Sequence, residues 1–127
     1  MSQRILILED EAVIALEIDH AISSAGYATE VAPSISAALA KIASGTFDGA
    51  VLDANVRGER VDSVARALQE RNIPFLFVSG YGREGLPSSC AEIPLVPKPF
   101  HTTQLLNAVG NLVRRSALVA GKSAAQP

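Results

Sequence analysis

Four short apolar runs in this chain end abruptly in groups that can do chemistry. Arg4-Ile5-Leu6-Ile7-Leu8 gives way to Glu9-Asp10-Glu11, and Gly49-Ala50-Val51-Leu52 to Asp53. Phe75 to Val78 ends in Ser79, and a fourth run is followed by Lys98, held between Pro97 and Pro99. A lone aspartate at a strand end would do no more than cap a turn. Open α/β sheets, however, place their ligands at the carboxyl ends of parallel strands. Carboxylates gathered there repel, by roughly 4 kcal/mol per pair at ~4 Å and an effective dielectric of about 20. Such a cluster calls for a cation, a proton or both. All-oxygen donors with room for water suit Mg²⁺ or Mn²⁺ rather than zinc. His20 and His101 fall in helical segments and read as surface or capping residues. Beside a bound cation Asp53 becomes an ionised oxygen nucleophile, and aspartate carboxylates attack phosphoryl groups to give acyl phosphates. Catalysis of that transfer is positioning and charge stabilisation. Lys98 adds a second positive charge, the Ser79 hydroxyl a hydrogen-bond donor, and Pro99 is a candidate for a cis peptide aiming the lysine inward.

The elements that must position these groups alternate along the chain. Arg4–Leu8 reads as a buried strand, and Ile14, Ile18, Ile22 and Ala25 recur at helical spacing before Gly26. Tyr27–Val31 is a second strand. Ser34 caps a helix through Ile35, Leu39 and Ile42 that ends near Ser44-Gly45, and Phe47–Asp53 is the central strand. Arg57-Gly58-Glu59 is a polar loop next to the nucleophile. Val61, Val64, Ala65 and Leu68 mark a third amphipathic helix, broken at Asn72. Phe75–Ser79 is the fourth strand. The Gly-, Pro- and Ser-rich segment from Gly80 to Ser89 is a poor helix former, expected as a loop with one or two turns at most. Ile93–Val96 is the last strand, and a final helix after Thr102 or Thr103 carries Leu105, Leu106, Val109, Leu112 and Val113. Strands alternating with helices predict a doubly wound, flavodoxin-like five-stranded parallel sheet of order 2-1-3-4-5 with helices on both faces. Strands one and three are then neighbours, and Glu9, Asp10 and Asp53 line the crevice between their ends. Residues 1–115 form one domain, and 116–127, small, polar and Ala-rich, a flexible tail.

Composition narrows the function classes. A chain of 127 residues with 48% hydrophobic and 19% charged residues can bury one core and is not a disordered polymer. A formal charge of −2 gives no basic footprint for direct nucleic-acid binding. No apolar run nears the ~20 residues of a membrane span, and no signal-peptide core follows Arg4. The single cysteine, Cys90, has neither a disulfide partner nor metal-ligand company. The expected setting is the cytoplasm.

Glu9-Asp10-Glu11, Leu52-Asp53, Ser79-Gly80 and Lys98-Pro99-Phe100, in this order and spacing over residues 4 to about 115, resemble the signature of the response-regulator receiver domain of two-component signalling (CheY-like). The resemblance implies that Asp53 accepts a phosphoryl group from a sensor histidine kinase or a histidine phosphotransfer protein. It implies that Asp10 and Asp53 ligate Mg²⁺ with the backbone carbonyl of Asn55, Glu9 acting through water. Ser79 and Lys98 would contact the phosphoryl oxygens. The chain departs from the usual pattern at Leu95, where many receivers carry an aromatic switch residue. Pro74 to Tyr81 instead is similar to an atypical subgroup with a Phe-Ala-Thr-Gly-Tyr-like motif, which makes Tyr81 the candidate switch. Glu9 replaces the commoner aspartate and tunes metal affinity, and Glu11 faces solvent at a helix start, where a negative charge suits the dipole.

The resemblance makes the chain a signalling phospho-acceptor rather than an enzyme, acting through contacts with a downstream protein, with a weak homodimer through the last-strand face as a further option. Two other readings compete. A small Mg-dependent aspartyl-nucleophile phosphatase needs an acid two residues after the nucleophile, where this chain has Asn55. A pseudo-receiver that is never phosphorylated has no reason to bear the repulsion among Asp10, Asp53 and their neighbours.

Overall fold

A computed structural model of the chain describes residues 2–56, 61–83, 86 and 88–125, the last of these, from 118 on, as backbone. The elements are β1 (Arg4–Leu8), α1 (Ala12–Ser24), β2 (Ala28–Ala32), α2 (Ile35–Ser44) and β3 (Gly49–Asp53), followed by α3 (Asp62–Glu70), β4 (Phe75–Ser79), β5 (Leu95–Pro97) and α4 (Thr102–Ala125). The strands form a five-stranded parallel sheet in the order β2-β1-β3-β4-β5, as the alternation of apolar runs and amphipathic segments requires.

Alternation along the strands sorts the core into two layers. Leu6, Leu8, Ala50, Leu52, Phe75 and Phe77 face α2 and α3, with Phe75 and Phe77 in edge-to-face contact at 5.7 Å between ring centroids. Ile5, Ile7, Val51, Leu76, Val78 and Val96 face Ile18 and Ile22 of α1 and Leu105, Val109 and Leu112 of α4. Every residue of β3 and β4 is buried, which explains why both read as uninterrupted apolar runs. Local signals set the helix ends. Gly26 takes φ 101° just past α1, a left-handed conformation that suits glycine. Ser34 accepts a hydrogen bond from the Ala37 N–H at 3.1 Å at the start of α2. Asn72 turns the chain at φ 57° after α3.

Several boundaries differ from the sequence expectation, and β2 is shifted by one residue, to Ala28–Ala32 from Tyr27–Val31. Strand β3 starts at Gly49 rather than Phe47, because Asp48 is engaged at the rim: its carboxylate accepts the Arg4 N–H at 2.8 Å. Strand β5 starts at Leu95 rather than Ile93, because the Ile93 N–H closes onto the Cys90 carbonyl after a single 3₁₀ turn at Ser88–Cys90. Helix α4 does not end where a flexible tail from 116 was expected; its backbone stays helical to Ala125. Alanine at 117, 120, 124 and 125 favours that continuation, and no proline intervenes. Between β4 and β5 the 3₁₀ turn is the only helical element among the described residues, as the loop composition predicts. Leu86, Cys90, Ile93 and Leu95 pack there against the α2/α3 layer. On β5 the ladder alternation turns Val96 to β4 and Pro97 outward, so the open edge lacks a donor at Pro97 and is a poor template for strand addition.

Candidate functional site

Parallel register brings the polar strand ends to one rim. Leu8 pairs with Leu52, so Glu9 and Asp10 emerge beside Asp53. Asp53 pairs with Val78 and Ser79 with Pro97, which sets Ser79 and Lys98 on the other flank. The Lys98 N–H donates to the Ser79 carbonyl at 2.8 Å, and the Lys98–Pro99 bond is cis, as the sequence suggests.

The side chains converge. Lys98 Nζ donates to Glu9 Oε1 at 2.9 Å and to Asp53 Oδ1 at 3.3 Å. Asp53 Oδ1 also accepts the Asn55 N–H at 3.2 Å, and Glu9 Oε2 accepts the Glu11 N–H at 3.1 Å. The Ser79 Oγ accepts the Tyr81 N–H at 3.0 Å, which fixes the turn after β4. Glu9 and Asp53 are 1% and 5% exposed, whereas Tyr81 is 69% exposed at the lip. Burial drives the Asp53 carboxyl up to about 7 against the opposing Asn55 N–H; the neighbouring Glu9 adds to the rise and Lys98 opposes it. Burial alone would lower Lys98, but the hydrogen bond to Glu9 and the charges of Asp53 and Glu9 outweigh it and hold the ammonium above its ordinary value.

Glu9, Asp10 and Asp53 each offer a carboxylate oxygen, and these oxygens lie within 4.8 Å of one another. Three hard oxygen donors at that spacing fit Mg²⁺ or Mn²⁺, which take carboxylates and keep several waters. Next to them a cleft of about 320 Å³ is lined by Glu11, Ile14, Asp53, Asn55, Ser79, Gly80, Tyr81 and Lys98.

The structure thus brings together all the site residues named from sequence: Glu9, Asp10, Asp53, Asn55, Ser79, Tyr81 and Lys98. Glu11, expected in solvent, is exposed, yet it also borders this cleft. Ile14, by its spacing only an apolar helix position, lines the cleft as well. The spacing could have shown this, because Glu11 immediately precedes α1 and Ile14 lies in its first turn, three positions on. His20 and His101 are exposed and take no part. Arg57-Gly58-Glu59, expected to flank the nucleophile, lies outside the described residues.

No protein-family model matches the chain, and no curated protein does. Solved structures do. SdrG from Sphingomonas melonis is 32% identical, with a TM-score of 0.77 over 88% of this chain and 97% of that one. A response regulator receiver protein from Sinorhizobium medicae is 26% identical, TM-score 0.77, over 91% and 97%. A CheY-like receiver domain protein from Methanospirillum hungatei is 21% identical, TM-score 0.79, over 92% and 98%, a likeness of fold. The structural neighbours of this chain are response-regulator receiver domains, and it belongs with that CheY-like family.

Proposed function

We propose that the chain is a phospho-accepting response regulator and that Asp53 is the acceptor. The observation that carries this reading is the Asp53 carboxylate at the end of β3, 3.3 Å from the Lys98 ammonium and grouped with two further acids. An Asp53 oxygen attacks the phosphorus of a phosphohistidine on a sensor kinase or phosphotransfer protein. The O–P bond forms, the P–N bond breaks, and the departing imidazole takes up a proton. Lys98 and the Ser79 hydroxyl receive the phosphoryl oxygens. Asp10, Asp53 and the Asn55 carbonyl would hold Mg²⁺ or Mn²⁺, with Glu9 reaching it through water. The cation supplies charge neutralisation, and it favours the ionised carboxylate that burial otherwise suppresses.

Tyr81, on the lip of the cleft, is the proposed reporter of the phosphoryl group in place of the aromatic residue missing at Leu95. Its backbone is tied to Ser79, so movement of the Ser79 hydroxyl toward an added anion is felt at Tyr81. In this reading the chain works in the cytoplasm as a signalling acceptor rather than an enzyme, and its output is a contact with a downstream protein. Among the described residues no helix is long and apolar enough to cross a membrane. The phosphatase reading needs an acid where Asn55 stands.

The test is the intact mass after incubation with a small acyl-phosphate donor and Mg²⁺. Wild type gains one phosphoryl group and Asp53→Asn gains none. Absence of an adduct, together with failure to bind beryllofluoride in the presence of Mg²⁺, would refute the proposal and leave a pseudo-receiver.

A further inference from the structure

At the end of the sheet opposite the acids, the start of β4 floors a second cavity, of about 220 Å³. Ile73 and Phe75 are buried at its base, and Pro74 and Ile93 line it half-buried. Its remaining lining is polar: the Gln69 and Asn72 amides, the Ser116 hydroxyl and the Arg115 guanidinium. The backbone around it is already satisfied. Past the end of α3, Asn72 sits at φ 57° and donates its N–H to the Gln69 carbonyl at 3.1 Å, while the Ile73 N–H reaches the Leu68 carbonyl at 3.0 Å. Those two carbonyls would otherwise favour a cation. Pro74 has no N–H, and its carbonyl accepts the Ala50 N–H at 3.1 Å. Polar groups for a ligand therefore come from side chains.

The charge of the cavity has one sign. No carboxylate lines it, Glu70 and Glu92 lying outside. Arg115 is exposed and makes no ion pair with any described residue, whereas Arg114 is turned to Asn111. An exposed arginine alone is a solvated surface charge. Set above an apolar floor with amides beside it, it complements a carboxylate carried on a hydrophobic body. The volume limits that body. It lies between the roughly 150 Å³ that accepts one benzene ring and the roughly 300 Å³ at which pockets for drug-sized molecules begin.

We propose that this cavity binds a small carboxylic acid with a single-ring or branched apolar body. The body rests on Ile73, Phe75 and Ile93, and the carboxylate meets Arg115, with Gln69 and Asn72 as further donors. Phe75 and Ser79 are the two ends of β4, so about 13 Å of strand separates this cavity from the phospho-acceptor rim. The site is distinct from that rim and does not depend on the phosphoryl chemistry proposed there.

The experiment is a proton–nitrogen NMR titration of the whole chain with three probes: phenylacetate, the uncharged phenylacetamide, and acetate, which has the charge without the ring. Phenylacetate gives saturable shifts centred on residues 69–75, 93, 115 and 116, with a Kd of about 1 mM or tighter, the range open to a ligand of this size. Phenylacetamide binds about fivefold more weakly, and acetate gives no saturable shift there. Arg115→Gln, a surface change, weakens phenylacetate about fivefold and leaves phenylacetamide as it was. No saturable shift with phenylacetate up to about 10 mM, or shifts centred elsewhere, would overturn the site. Equal affinity for acid and amide, or phenylacetate binding unchanged in Arg115→Gln, would overturn the assignment to a carboxylic acid.

Discussion

Replacing Asp53 by asparagine is expected to stabilise the protein while abolishing phosphorylation, and the size of the effect can be worked from the site. The carboxyl is 5% exposed and its pKa rises from 3.8 to about 7, chiefly through desolvation. At about 1.36 kcal/mol per pH unit that gap sets a ceiling near 4 kcal/mol on the cost of the ionised form above neutrality. The substituted amide keeps an oxygen for the Asn55 N–H but gives up the attraction of Lys98, so the gain realised in EDTA at pH 8 is about 1–2 kcal/mol, or roughly 3–8 °C in Tm. The sign follows from proton binding. Between about pH 4 and pH 7 native Asp53 retains a proton that the unfolded chain has lost, so wild-type stability falls as pH rises through that window. The variant does not share this loss, and its advantage widens from pH 5 to pH 8. Saturating Mg²⁺ reverses the order, since a ligand bound by the native wild type alone adds about 2.7 kcal/mol at a hundredfold excess over Kd. Circular-dichroism melts of both proteins at pH 5 and pH 8, with EDTA and with Mg²⁺, measure all three effects. An Asp53→Asn protein less stable than wild type in EDTA at pH 8, or a difference unchanged between the two pH values, would refute desolvation as the dominant influence on Asp53.

Two further outcomes are expected. Ser34→Ala removes the side-chain acceptor for the Ala37 N–H and costs about 1 kcal/mol in urea unfolding, with the site's Mn²⁺ affinity unchanged; a loss below measurement error would show the cap to be redundant. Phosphorylation or beryllofluoride binding is expected to alter amide hydrogen exchange across residues 80–90, because the Tyr81 N–H is held by the Ser79 hydroxyl, which in the proposed function would meet the phosphoryl oxygens; identical exchange in both states would remove Tyr81 from the switching role.

Much of this molecule is legible in its sequence, for a physical reason. Strands buried on both faces must be apolar throughout, so the first polar residue after each run marks the rim of the sheet. Glu9, Asp53, Ser79 and Lys98 announce themselves in this way, and the strand order then makes Glu9 and Asp53 neighbours. Cap residues such as Ser34 and Gly26 are local and equally readable. Boundaries are less so where tertiary partners decide them. Asp48 is drawn to the Arg4 backbone, and Ile93 is spent on closing a turn, so two strands are shorter than their apolar runs.

What the sequence could not show is how far a side chain reaches. Glu9 and Lys98 are 89 residues apart, and the choice of Lys98 between two carboxylates depends on tenths of an ångström. Read as letters, Glu for Asp at position 9 is a conservative change that keeps the charge and tunes an affinity. In the folded chain the additional methylene carries one carboxylate oxygen to Lys98 while the other accepts the Glu11 N–H. The acids of this site therefore divide by reach as well as by position: Asp53, at the end of β3, lies 3.3 Å from Lys98 Nζ, while Glu9, just past β1, reaches the same ammonium at 2.9 Å.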